Sequence, residues 1–223
     1  MPTIDQARGW HAALDPVHGF DHVLRVLDMA LRLGRQVGAD LEILHAAALL
    51  HDASGAAPSA APRAAQHGAE PNGGGRESHE HASAEFARRV LTDEGWPEER
   101  IAAVEHCIRA HRYRGSELAR SLEAQVLFDA DKLDVLGAFG VARTLGYALQ
   151  AGQPFFAEPS AHFLQTGEAE PDEPHSAYHE YLFKLRRVID RLHTAPARAL
   201  AERRYALLTA FFEQLAGEAR GSA

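Results

Sequence analysis

The chain has little cysteine and no long apolar run. Its one cysteine, Cys107, has no second cysteine with which to form an internal disulfide. No apolar stretch approaches the roughly 18 residues of a membrane helix, because the run 46–50 is followed at once by His51 and Asp52. The first residues, MPTIDQARGW, lack the basic and then apolar pattern of a signal peptide. We therefore expect a cytoplasmic protein with no membrane association.

Basic charge is also scarce, since 23 Lys and Arg residues stand against 31 Asp and Glu residues and the net charge is −8. Proteins that bind polymeric nucleic acid do so with clustered Lys and Arg side chains. The charge balance therefore argues against a nucleic-acid partner and leaves a small anionic ligand open. With 223 residues, 46% of them hydrophobic, the chain can bury one sizeable core, so we predict one domain over residues 1–223.

The period-two alternation that is typical of a half-buried strand is absent from the sequence. Apolar residues recur instead at three- and four-residue spacing, which predicts amphipathic helices and an all-α fold. Two long loops are expected, at 53–77, which is rich in Ala, Gly and Pro and could act as a lid, and at 150–174. The predicted helices span residues 20–37, 41–52, 78–92, 97–110, 118–131, 133–148, 177–192 and 197–216.

Histidine is abundant, with 14 residues, and it is the commonest metal-binding side chain. A His-Asp pair alone indicates no more than hydrogen-bonded polar groups near a helix end. Here His51 and Asp52 end one apolar helix, His22 lies on a second and Asp131 on a third. Two imidazoles and two carboxylates can enclose one divalent cation and leave about two octahedral positions open for water or a phosphate oxygen, as in catalytic sites. Such ligands suit Mn²⁺, Fe²⁺, Ni²⁺ or Zn²⁺ better than Ca²⁺.

The order His…His-Asp…Asp, carried by His22, His51, Asp52 and Asp131, resembles the HD-domain superfamily of metal-dependent phosphohydrolases. Further blocks are similar to a bacterial subgroup of small, single-domain HD hydrolases, so the resemblance covers nearly the whole chain. It implies an HD core over about residues 18–135 and an additional C-terminal helical pair over about 175–218. These blocks read HGFDHVLRVLDMALRLG, ALLHDASG, SHEHASAEFARRVL, CIRAHRYR, FDADKLDVLGAFGVART and TAPARALAERRYALLTAFFEQL.

The resemblance also implies the chemistry. The four residues would bind one divalent ion, for which Mn, Ni, Fe, Co, Zn and Mg are candidates and Mn is favoured. A metal-activated water would hydrolyse small phosphorylated molecules, with nucleotides as the favoured substrates and nucleoside triphosphate pyrophosphohydrolysis as a narrower form of this activity. Whether the chain forms a homodimer stays open.

Six further side chains are predicted to assist the four metal ligands, among which Asp52 is also a catalytic candidate. His111 could contact a phosphate, protonate a leaving group or bind a second ion, but a histidine at a helix end can also simply complement the helix dipole. Lys132 could stabilise developing charge, or form a salt bridge with Asp129 or Asp134. The candidates for substrate binding are Arg25, His79 and His81, each with a structural alternative such as an ion pair or a solvated helix end, and Lys184, which is implied mainly by the resemblance.

Two other functions remain open at this stage. A non-catalytic nucleotide sensor could retain the same fold and use the 53–77 loop to contact a partner. A di-iron HD oxygenase would need ligands beyond the first four, such as His79, His81 or His111.

Overall fold

The structure is a computed structural model, and it describes residues 1–11, 19–53, 79–113, 115 and 117–222. These residues form ten α-helices and no strand, which confirms the predicted all-α fold. Within the same residues, no helix is long and apolar enough to span a membrane. The helices are α1 (Ile4–Arg8), α2 (Phe20–Val37), α3 (Leu41–Leu50), α4 (His79–Asp93), α5 (Glu98–Ala110), α6 (Leu122–Asp134), α7 (Gly137–Gln150), α8 (Ala161–Thr166), α9 (Ala177–Phe183) and α10 (Ala195–Ala219).

The described residues divide into two compact units. The first unit contains those up to residue 134 together with residues 192–198, and the second contains residues 135–191 and 199–222. The single-domain assignment and the predicted boundaries of the HD core and the C-terminal helical pair stay predictions. The loop predicted at 53–77 lies, apart from Ala53, outside the described residues.

The core of the first unit is built from α2, α3, α5 and α6, with α4 packed on α5. Helix α3 is central, as predicted, because nearly all of its side chains are buried. Gly34 lets α2 approach it closely, since a Cβ at this position would lie 2.4 Å from Leu44 Cδ1. At the start of α3, the Asp40 side chain accepts hydrogen bonds from the Glu42 and Ile43 amides, so the predicted N-cap is confirmed.

Helix α6 is displaced along the sequence from its predicted position. It begins at Leu122 because the Ser121 hydroxyl accepts a hydrogen bond from the Ala124 amide at 3.1 Å, whereas Leu118, the predicted start, is exposed. It continues to Asp134, three residues beyond the predicted end. This additional turn adds a carboxylate to the same helix face as Asp131.

A buried carboxylate connects α6 to the segment 192–198 within the first unit. Asp129 is fully buried and accepts hydrogen bonds from the His193 amide (2.8 Å), the Thr194 amide (2.8 Å) and the Thr194 hydroxyl (2.7 Å). Burial raises the pKa of Asp129, and these three donors oppose that effect. Asp129 thus satisfies backbone donors that precede α10 and would otherwise be unpaired.

In the second unit, the helix predicted at 177–192 ends early. Helix α9 stops at Phe183, and two 3₁₀ turns follow, Leu185–Arg187 and Ile189–Arg191. Leu185 and Val188 are both buried three residues apart, a spacing that fits three residues per turn. The region 150–174, predicted as a loop, contains the short helix α8, which forms because Ser160 caps the Phe163 amide and Phe163 is buried.

Glu173 organises the polar part of the second unit. Its carboxylate accepts hydrogen bonds from the Ser160 amide and hydroxyl (both 2.7 Å), the Glu170 amide (2.7 Å) and His179 Nε2 (3.0 Å). Burial raises the pKa of Glu173, but these donors outweigh it and lower the pKa from 4.5 to about 2. The ionised carboxylate therefore stabilises this unit.

The Asp129 contacts give a first prediction. We expect Asp129→Ala to lower the free energy of unfolding by about 2–4 kcal/mol, because the His193 amide and the buried Thr194 amide and hydroxyl lose their acceptor. Urea unfolding measures this change. As a control, Asp28→Ala removes an exposed carboxylate from α2 and should change stability by less than about 0.5 kcal/mol. An equal effect of the two substitutions would contradict the assignment.

The Glu173 contacts predict a pH dependence. Because the folded-state pKa is lowered, the contribution of this carboxylate is fully present above pH 4.5 and is lost as the pH falls to about 2. The gap in unfolding free energy between the wild type and Glu173→Gln should therefore close over that range. For the exposed control Glu168→Gln, the gap should stay constant. Acid titration of urea unfolding curves measures both, and a gap for Glu173→Gln that does not vary with pH would refute the prediction.

Candidate metal centre

Three packed helices bring the predicted ligands together. His22 lies in the first turn of α2, His51 and Asp52 follow α3 directly, and Asp131 lies in α6. One potential ligand atom each from His22, His51 and Asp131 lies within 4.8 Å of the other two. Because α2, α3 and α6 pack on one another in the first unit, residues about 110 positions apart in the sequence meet here.

Asp52 completes this group. Its Oδ2 atom lies 3.5 Å from His51 Nε2 and 3.8 Å from His22 Nε2, while Asp131 Oδ1 lies 3.4 Å from His22 Nε2. The Asp52 side chain is 36% exposed, whereas the other three side chains are at least nine-tenths buried. Asp52 is thus the member of the group that a ligand from solvent can reach.

The protonation of His51 follows from its contacts. Its Nδ1 atom donates a hydrogen bond to the Ala48 carbonyl at 2.8 Å. A carbonyl only accepts, so Nδ1 carries a proton, and Nε2 is the ring nitrogen that could bind a cation. That Nε2 atom is buried and has no hydrogen-bond partner in the part of the chain that the structure describes. A buried, unpartnered lone pair is costly, which fits a bound cation.

His111 repeats this arrangement at the end of α5. Its Nδ1 atom donates to the Ile108 carbonyl at 2.5 Å, and its Nε2 atom lies 3.7 Å from Asp52 Oδ1. Its ring stands nearly perpendicular to that of His51, with the centroids 5.1 Å apart. Burial, assisted by His51, lowers the pKa of His111, so the imidazole is neutral at pH 7. Asp52 therefore faces the Nε2 atoms of three histidines.

Both carboxylates of the group are ionised. Burial raises the pKa of Asp52, but the opposing charge of His51, His111 and His22 in their protonated form outweighs it, and the pKa lies below its usual range. Burial likewise raises the pKa of Asp131, but the ammonium group of the adjacent Lys132 brings it well below the usual range. Lys132 is buried, and its Nζ atom lies 2.5 Å from Asp131 Oδ2.

This donor set fits a divalent metal ion. Three of the contacts between imidazole nitrogens and carboxylate oxygens in this group measure 3.4–3.8 Å, and a positive charge between these donor atoms would stabilise them. Ligand atoms that bind one ion at about 2.0–2.3 Å lie roughly 3–4 Å apart, which matches these separations. Mixed nitrogen and oxygen donors are typical of Mn, Fe, Co, Ni and Zn sites.

The structure places the other predicted residues as follows. The Arg25 guanidinium binds Asp134 Oδ1 (2.7 Å) and Asp21 Oδ2 (2.5 Å). His81 is exposed on α4. Lys184 belongs to the second unit, at the end of α9, where its Nζ atom pairs with Glu180 Oε1 at 2.9 Å. The side chain of His79 lies outside the described residues.

Sequence reasoning missed two residues near this group. His11 donates from Nε2 to the Leu49 carbonyl at 3.1 Å, and no periodicity in the sequence marks it. Asp134 contacts His22 and Arg25. The sequence did contain a signal for Asp134, because this residue follows Asp131 by three positions and so shares a helix face with it.

Known proteins resemble this chain over most of its length. The uncharacterized protein YpgQ of Bacillus subtilis (strain 168) is 29% identical over 223 residues, which cover 96% of this chain and 93% of YpgQ. A crystal structure of YpgQ in complex with ADP has a TM-score of 0.69 and 27% identity, and the match covers 99% of this chain and 100% of that one. The crystal structure of an HD-superfamily hydrolase from Bacillus thuringiensis has a TM-score of 0.60 and 27% identity, covering 91% of this chain and 87% of that one.

The family assignment rests on a match over more than half of the chain. The HD domain model matches residues 19–136, a range that includes His22, His51, Asp52 and Asp131. The resemblance inferred from the sequence is thereby confirmed. The chain belongs to the HD domain family.

Proposed function

We propose that this protein is a metal-dependent phosphohydrolase that acts on small phosphorylated molecules, and that its substrates are nucleotides. One observation carries the proposal: the buried, unpartnered Nε2 lone pair of His51 faces an ionised Asp52 carboxylate 3.5 Å away. This arrangement calls for a cation. Its open side at the exposed Asp52 suits a substrate that brings negative charge to that cation.

Two relatives support the substrate class. The Bacillus thuringiensis relative is named an HD-superfamily hydrolase, and YpgQ was crystallised with ADP. The net charge of −8 favours a small phosphorylated ligand over a polymer, because the chain lacks an excess of Lys and Arg. Nucleoside triphosphate pyrophosphohydrolysis remains the narrower form of the proposal.

The metal would be held by His22, His51, Asp52 and Asp131. When bound, it lowers the pKa of a coordinated water toward neutrality and neutralises charge on phosphoryl oxygens. Asp131 is held in place by Lys132, whose ammonium group also offsets the negative charge of a substrate. The buried His22 and His51 rings contribute neutral donors and keep bulk water from that side of the centre.

Asp52 and His111 are the groups suited to handling the nucleophile. The Asp52 carboxylate is the exposed member of the group, so it accepts a hydrogen bond from an attacking water and orients it. His111 is neutral, its Nδ1 proton is occupied by the Ile108 carbonyl, and its Nε2 lone pair lies 3.7 Å from Asp52 Oδ1. His111 therefore accepts the proton of that water at Nε2, or accepts a hydrogen bond from a hydroxyl group of the substrate there.

Metal quantification joined to a product-release screen tests the proposal. The purified protein, loaded in turn with Mn²⁺, Ni²⁺, Fe²⁺, Co²⁺, Zn²⁺ and Mg²⁺, is assayed for phosphate and pyrophosphate release from nucleotides, cyclic nucleotides and sugar phosphates. We expect turnover of nucleotides, highest with Mn²⁺, and none after chelation. Nucleotide binding without turnover in any metal would overturn the enzymatic proposal in favour of a sensor.

Removal of a ligand should abolish both binding and catalysis. We expect His51→Ala and Asp52→Ala each to weaken Mn²⁺ binding by more than about 100-fold and to lose measurable hydrolysis, because each deletes a donor to the ion. Calorimetric Mn²⁺ titration and the release assay measure these effects. The control His162→Ala removes an exposed imidazole from α8 and should match the wild type. Wild-type metal affinity in either ligand variant would contradict the site.

A further inference from the structure

We infer that Asp134 is a positioning residue: its carboxylate fixes the proton of His22 on Nδ1 and thereby turns the Nε2 lone pair toward the metal centre, while Arg25 holds that carboxylate in place. The inference rests on the metal site of the proposed function. It concerns the orientation and tautomer of one ligand, which can be measured without turnover.

The contact between Asp134 and His22 sets the tautomer. Asp134 Oδ2 lies 2.7 Å from His22 Nδ1, and both residues are buried, at 4% and 1% exposure. Arg25 donates hydrogen bonds to both oxygens of this carboxylate, which makes it the acceptor, so a contact this short places the proton on Nδ1. His22 Nε2 then points to the other side of the ring, where it lies 3.4 Å from Asp131 and 3.8 Å from Asp52.

His22 needs this partner because of where it lies in its helix. His51 and His111 follow the ends of α3 and α5, where the carbonyl three residues back accepts the Nδ1 proton. His22 is in the first turn of α2, and the corresponding carbonyl, that of Gly19, already accepts the backbone amide of His22 at 2.9 Å. The acceptor for the Nδ1 proton comes instead from another helix, where Asp134 of α6 supplies it.

Arg25 fixes the orientation of the Asp134 carboxylate. Its Nε atom donates to Oδ1 at 2.7 Å and its Nη2 atom to Oδ2 at 3.0 Å, which is a bidentate pair. Its Nη1 atom is held in turn by Asp21 at 2.5 Å. The guanidinium also compensates the charge of a carboxylate that would be costly to bury alone.

Helix α6 thus contacts both sides of one imidazole. Asp131 faces Nε2 and Asp134 contacts Nδ1, and the two carboxylates lie one turn apart on the same helix face. Outer carboxylates that bind the far nitrogen of a histidine ligand typically contribute 10- to 100-fold to metal affinity. Asp134, the second carboxylate of this pair, is therefore assigned the role of positioning the His22 ligand.

The test measures the tautomer and the metal affinity separately. In metal-free wild type at about pH 8, long-range ¹H–¹⁵N correlation spectra of the His22 ring should show the proton on Nδ1. Calorimetric titration should show that Asp134→Asn weakens Mn²⁺ binding by about 10- to 100-fold. Arg25→Lys keeps the positive charge but loses the bidentate hydrogen bonds to Asp134. It should therefore retain the His22 tautomer and weaken Mn²⁺ binding less than Asp134→Asn does.

Asp28→Asn is the matched control, since it makes the same charge change at an exposed position of α2. It should leave both readouts at wild-type values, and thermal unfolding of each metal-free variant verifies folding. If Asp134→Asn does not fold, the His22 tautomer in the wild-type spectrum and the Mn²⁺ affinity of Arg25→Lys still test the inference. A proton on Nε2 instead of Nδ1 in the wild type, or wild-type Mn²⁺ affinity in folded Asp134→Asn, would overturn the inference. A wild type that binds no metal would instead refute the proposed function and leave the tautomer measurement standing.

Discussion

The centre depends on the direction of three imidazole lone pairs. In His22, His51 and His111 the Nδ1 proton is donated to an acceptor outside the cluster, so each Nε2 atom faces the Asp52 carboxylate at 3.5–3.8 Å. Rotating any ring would leave a backbone carbonyl or a carboxylate without its donor and point a proton at the cation site. Fixing the protons at the periphery makes the interior of the cluster uniformly electron-rich, which is the condition for binding a cation there.

This arrangement requires that helix ends, and not only helix faces, are placed accurately. His51 and His111 use the last carbonyls of α3 and α5, which have no partner within their own helices. The same unpaired groups that terminate each helix therefore orient the ring that follows it. Close packing of α2 on α3 at Gly34, and the cap that Asp40 provides at the other end of α3, determine where that terminus lies in the first unit.

The sequence was sufficient for the long periodic helices and for the residue types of the ligand group. Helix α2 has the predicted bounds, and His22, His51, Asp52 and Asp131 meet as their order suggested. Short elements were not predictable in the same way: α8 depends on the cap at Ser160 and on burial of Phe163, and α9 ends where buried residues change to three-residue spacing. The local sequence pattern does not determine where such short helices begin and end, because tertiary packing decides it.

The role of Arg25 shows where reading residues one at a time fails. The Arg25 guanidinium lies one turn from His22 on an amphipathic helix and could bind either a phosphate or a carboxylate. The sequence alone does not show which of the two it binds. The carboxylate comes from residue 134, 109 positions further along, and only the packing of α2 on α6 brings the pair together. Because Asp134 accepts a hydrogen bond from His22 Nδ1, its buried carboxylate needs a neighbour that supplies positive charge and several N–H donors. Arginine at position 25 meets that need, and of the two partners that the sequence left open, the structure pairs it with the carboxylate of Asp134.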